Sequence, residues 1–233
     1  MSFNLSKRLI LLLALLNTTG CATKITLGPI DEGLMPKVKL AGKVHVMPIN
    51  DASTLEKLSN GYYSTVTGVV GGTKYISETR PADMVEKSIA KCLTQSGLIV
   101  TQGPTVPEDA DIVLSPNLKT VFVDHYAREI GIAIAVTAIT GMASTTDPHA
   151  EIAVDNSIVD RKSQAKTSVL FVGSERSVLH FTKGGGAERS FRLVQETYCG
   201  WLQQKVASFQ ADPAAADLAN TKESAAFLKT VRQ

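Results

Sequence analysis

The chain has 233 residues, 44% of them hydrophobic, which is ample for a sizeable buried core. Its formal charge of +2 gathers into no basic patch or charge run, which argues against nucleic acid as a partner and against polybasic contact with a membrane. An aromatic content of 6% argues against stacking platforms for sugars or nucleobases.

Residues 1–20 read as an export leader. Lys7 and Arg8 form a short positive region, residues 10–16 are an unbroken apolar run, and Asn17-Thr18-Thr19-Gly20 leads into Cys21. The run is shorter than the roughly 20 residues that cross a bilayer as a helix. The Gly20-Cys21 junction resembles the lipobox of bacterial lipoproteins, departing from it at Thr18, where such boxes usually carry leucine. The resemblance implies cleavage before Cys21 and a diacylglyceryl thioether on its sulfur. With Ala22 rather than aspartate next, it also implies sorting to the outer membrane, on its periplasmic face. The alternative is an ordinary secretory leader with a chance cysteine. Loss of Lys7 and Arg8 leaves basic and acidic residues in balance.

Residues 21–42, with Gly28, Pro29, Gly33 and Pro36, have the composition of a tether. Residues 43–49 alternate as a strand with Val44 and Val46 on one face, and Pro48 places its end or an edge nearby. A short helix capped by Asp51 or Ser53 is expected through Leu55 and Leu58, followed by a small hairpin over 64–77 that turns at Gly71-Gly72. Pro81 opens a clear helix over 81–96, whose Met84, Val85, Ile89, Cys92 and Leu93 share one face and which Gly97 stops. A strand starts at 98, and a long one over 110–124 changes phase as a bulge near Pro116 would make it. Residues 130–146 then run for seventeen positions without a charge. Residues 150–159 and 166–172 form an antiparallel hairpin around the turn Asp160-Arg161-Lys162-Ser163. After a flexible Gly184-Gly185-Gly186, a second long helix spans 188–209 with Phe191, Val194, Tyr198, Trp201, Leu202 and Val206 along one stripe.

The expected organisation is a leader over 1–20, a lipidated tether over 21–42, a folded domain over 43–210 and a tail over 211–233. Helices and strands do not alternate strictly. The fold class is therefore α+β, a mixed or antiparallel sheet with two long helices packed on one face.

This order of elements resembles small envelope lipoproteins of the YajG type and the curli-secretion lipoprotein fold. The resemblance rests on the lipobox, on 43–49 (KVHVMPI), 80–93 (RPADMVEKSIAKCL), 97–100 (GLIV) and 110–114 (ADIVL), and on the hairpin and late helix. It covers about two thirds of the mature chain as a pattern of elements, and 130–146 is longer than the connections common to that pattern. It implies scaffolding or assembly work more than catalysis.

With Cys21 assigned to lipid, Cys92 and Cys199 are an even pair in an oxidising compartment and a candidate disulfide; two separate buried thiols are the alternative. Neither has a histidine near it in sequence, and no metal site or cofactor is expected. Ser88-Ile89-Ala90-Lys91 and Ser163-Gln164-Ala165-Lys166 both match S-x-x-K, without the supporting motifs of an acyl-enzyme. Gly71-Gly72-Thr73-Lys74 fails the spacing of a phosphate loop. His45, His125, His149 and His180 lie far apart and form no paired metal motif. The run 130–146 is either a core element or a surface that meets a membrane or another subunit, and Ile130, Ile132, Ile134, Val136, Ile139 and Met142 are its candidate interface residues. The expected protein is thus a non-enzymatic, lipid-anchored assembly component with an envelope protein or a second copy as partner. A carrier of apolar ligands and a hydrolase are the rivals.

Overall fold

The computed structural model describes residues 22–31, 38–53, 55, 57–61, 63–64, 74–126, 147–176 and 185–212. Cys21, the run 130–146 with its six candidate contact residues, and the tail beyond 212 lie outside these.

The architecture is α+β, as the element order predicts, and the main sheet is mixed. Its strands are β2 (Lys43–Val46), β3 (Asn50–Asp51), β6 (Ile99–Gln102), β7 (Ile112–Tyr126), β8 (Asp147–Asp160) and β9 (Lys166–Arg176). They lie in the order β6-β2-β7-β8-β9, with β3 pairing β7 beyond the end of β2. The β6, β2 and β7 pairings are parallel, whereas β7–β8 and β8–β9 are antiparallel. A second sheet of three strands orders β1 (Ala22–Ile25), β5 (Lys74–Ser77) and β4 (Tyr63–Ser64). Among the described residues there are two helices, α1 (Pro81–Gln95) and α2 (Gly185–Ala211).

Both helices pack on one face of the main sheet. From α1, Met84, Val85, Ile89 and Leu93 are buried, and from α2, Phe191, Val194, Leu202 and Val206. They meet Val44 and Val46 of β2, Leu114 and Leu118 of β7, Ile152, Val154 and Ile158 of β8, and Phe171 of β9 in a single core. Each such side chain withdrawn from water contributes about 1.5–3 kcal/mol.

Local chemistry sets the element ends. Pro81 sits at the first helical position behind an extended Arg80, and Asp83 lies in the positive first turn. Gly97 ends α1 with φ +102°, and a Cβ there would stand 2.7 Å from the Leu40 carbonyl oxygen, so both conformation and space demand glycine. β2 stops before Pro48, as expected.

Three expectations fail for identifiable reasons. The helix through Leu55 and Leu58 is not present among the described residues; Asp51 instead pairs as β3 with Leu118 and folds its carboxylate onto the Ser53 N–H and hydroxyl. The bulge lies between Leu118 and Thr120, not at Pro116. Leu114 and Leu118 accept from the N–H groups of Met47 and Ala52, so Pro116 between them faces the gap separating β2 from β3. No ladder donor is needed there, and proline fits without a bulge. The extra residue is exposed Lys119, which returns Val121 and Val123 to the face of Ile112 and Leu114. Finally, Gly185 and Gly186 open α2 rather than forming a flexible connection.

Candidate functional site

The residues next to the lipidation candidate do not form the tether that their glycine and proline content predicts. Lys24, Ile25, Thr26 and Leu27 alternate exposed and buried, a period-two pattern that pairs β1 in parallel with β5 and drives Ile25 and Leu27 into the core. The chain then lies as a strap along the seam between α1 and α2. Its first bonds are from Glu78 N–H to the Ile25 carbonyl and from the Thr79 hydroxyl to the Leu27 carbonyl. Farther along, Gln195 Nε2 donates to Gly28 O, Lys91 Nζ to Ile30 O, and Arg192 pairs with Asp31 at 2.9 Å. Ile30 is fully buried and closes over Cys92 and Cys199.

Those two cysteines are bridged, with Cα atoms 5.7 Å apart and a sequence separation of 107. The candidate disulfide therefore joins the two helices. Around it the seam is polar but internally paired. The Ser88 hydroxyl accepts from Ile30 N–H, and its own proton lies between Gln195 Oε1 and Met84 O. Gln203 Nε2 donates to Cys92 O. The first S-x-x-K match is thus tied up in holding the strap: Ser88 through its hydroxyl, Lys91 through Ile30 O. The second match lies in the β8–β9 turn, where Ser163 donates from N–H and hydroxyl to Asp160.

His45 is buried in β2; its Nε2 donates to the Gly103 carbonyl at 2.8 Å, and its Nδ1 is hydrogen-bonded with the Thr101 hydroxyl at 2.9 Å. His149 stands edge-on to Phe122. Among the described residues no group of three or more His, Cys, Asp or Glu could hold a metal ion. Tyr198 donates to Asn156 Oδ1 at 2.6 Å within the core, and burial drives its hydroxyl far above the usual tyrosine range.

The sheet face opposite the helices is different in character. Its large exposed apolar side chains are Ile99, 60% exposed, Leu170, 48%, and Val172, 45%, among the described residues. Ile99 lies on β6 and the other two on β9, the two edge strands. Register places all three on the face of Lys43 and Val113.

Charge collects where β2 and β7 begin and β8 ends. Lys43 pairs with Asp109 at 2.6 Å and Lys162 with Asp111 at 2.8 Å. The hydrogen bond from Lys43 lowers the Asp109 pKa, that from Lys162 lowers Asp111, and that from the Ser163 N–H in the turn lowers Asp160.

No family model and no curated protein matches the chain. Solved structures do resemble it in course. Protein XCC0632 from Xanthomonas campestris, described as DUF330, aligns at 14% identity and a TM-score of 0.49, covering 82% of this chain and 98% of that one. A PelC variant from Paraburkholderia phytofirmans, solved as a dodecamer, aligns at 13% identity and 0.35, covering 76% and 92%. A Caulobacter crescentus protein provisionally described as a lipoprotein aligns at 15% identity and 0.28, covering 59% and 83%. Resemblance at this level does not extend to function. Among the described residues, no helix is long and apolar enough to cross a membrane.

Proposed function

We propose that this chain is a lipid-anchored envelope protein, held to the outer membrane through Cys21 and facing the periplasm, that acts without chemistry of its own as an assembly or scaffolding component. The observation that carries the scaffolding part is the open sheet face. Ile99, Leu170 and Val172 stay exposed on edge strands whose outer backbone groups are suited to pairing with another chain. Among the described residues, Ser88 of the first S-x-x-K match and His45 are engaged in holding the strap and the end of β6. The partner is an envelope protein or a second copy of this chain.

The anchor is tested by the mass of the mature N-terminus and by membrane fractionation of Cys21→Ala, which should release the protein from the membrane fraction. The scaffold is tested by native mass and cross-linking of Leu170→Asp/Val172→Asp, which should keep the fold and lose the complex. A complex that survives this double substitution sinks the open-face reading. A monomer that co-purifies with lipid would favour a carrier instead.

A further inference from the structure

The Cys92–Cys199 bridge lies under a cover that is held differently from the walls of its site. Cys92, Cys199 and Ile30 form a buried cluster of their own, apart from the main core. The walls are α1 and α2, each fixed by apolar side chains of that core. The cover is residues 28–31 of the strap, whose one buried apolar side chain is Ile30. Its other ties are single hydrogen bonds and the Arg192–Asp31 pair, whose side chains are 41% and 63% exposed and which therefore adds little. Upstream, β1 stays paired with β5, and among the described residues nothing stands within 4 Å of a Cβ built on Gly28, so the strap has room to hinge there. Raising four residues exposes far less apolar surface than parting the helices, so local release precedes unfolding. The two sulfurs are also unlike. Gln203 Nε2 donates to Cys92 O at 3.1 Å, which sets the amide orientation, and to Cys199 Sγ at 3.6 Å. A donor at a sulfur stabilises the thiolate there, and in exchange the sulfur that better carries charge is the one that leaves.

We infer that residues 28–31 are a hinged cover over a thiol–disulfide exchange site whose substrate is a dithiol reductant. With the strap raised, one thiolate of the dithiol attacks Cys92 Sγ. The Cys92–Cys199 bond breaks, and Cys199 leaves as a thiolate beside Gln203 and takes up a proton. The second thiol of the dithiol then attacks the dithiol-side sulfur of the mixed disulfide, and Cys92 is released as a thiol. Two electrons and two protons have passed to the protein, and the dithiol leaves as a disulfide. Reduction in turn loosens the cover. Its ties go to Ser88 and Lys91 on α1 and to Gln195 and Arg192 on α2, and the bridge holds those two helices in register. Strap and bridge are thus coupled, each protecting the other.

The test follows reduction of the folded, oxidised protein by dithiothreitol, in a Cys21→Ala background where the bridge supplies the only thiols, read by acid quench, alkylation and mass. Ser88→Ala removes the acceptor of the Ile30 N–H and should speed reduction about tenfold. Ile158→Val, on the sheet side of the main core, should leave the rate within about twofold. Equal acceleration by the two, or a steep rise in rate with low urea, would mean that exchange passes through global unfolding and overturns the cover. With glutathione as a monothiol probe, the adduct should sit on Cys92 and the alkylated thiol be Cys199, and Gln203→Leu should erase that preference. An adduct on Cys199, or a preference that survives Gln203→Leu, overturns the direction of attack. Hydrogen exchange at the Ile30 amide should quicken in the reduced protein while the β8 amides stay slow; an unchanged Ile30 amide overturns the coupling.

Discussion

Two interfaces hold this protein together by different means. Helices meet the main sheet through aliphatic and aromatic side chains, interrupted by the Tyr198–Asn156 bond. Helices meet each other through a disulfide, a shared serine and two glutamines, with residues 22–31 of the N-terminal chain leading into and along the seam. The first interface supplies most of the burial and hence most of the stability. The second fixes register: paired polar groups tolerate no sliding, because any shift leaves a buried donor or acceptor unmatched. The difference teaches that the anchor-proximal segment is attached to the part of the molecule that specifies position.

That contrast can be broken. Phe191→Ala, at the apolar interface, should cost about 3–5 kcal/mol and lower the urea midpoint of the whole domain. Cys92→Ala/Cys199→Ala removes a cross-link closing a long loop and should cost about 2–5 kcal/mol, again by urea unfolding. Tyr198→Phe strands Asn156 Oδ1 in the core and should cost about 1–3 kcal/mol in the same assay. Ser88→Ala sharpens the comparison: it should cost about 1–2 kcal/mol globally while releasing the strap, seen as faster hydrogen exchange at the Ile30 amide with the sheet amides still protected. Equal acceleration of strap and sheet would mean that seam and core are one cooperative unit. The smallest effect is at the β8–β9 turn. Asp160 has its folded pKa lowered, chiefly by the Ser163 N–H, so its contribution is present above the unfolded value of about 3.9 and is lost as pH falls through the folded one. Asp160→Asn should flatten the acid limb of stability measured by thermal unfolding between about pH 4 and pH 2.

The sequence by itself determined the elements with strong periodicity: α1, α2, the β8–β9 hairpin and the α+β class follow from apolar spacing and turn chemistry that act within a few residues. It also singled out Cys92 and Cys199 as a pair. What it could not decide was anything set by contacts far apart in the chain. The alternation of Lys24 to Leu27 was present but short, and only the pairing with β5 and the groove between two helices made it a strap instead of a tether. The bulge went to Lys119 because the break between β2 and β3 excused Pro116, a fact of neighbouring strands. Ser88 and His45 carried no supporting motif in the sequence, and that they instead bond Ile30 and Gly103 was decided by the tertiary structure. Local sequence sets which way a residue points along its own element; the tertiary structure alone sets what it meets there.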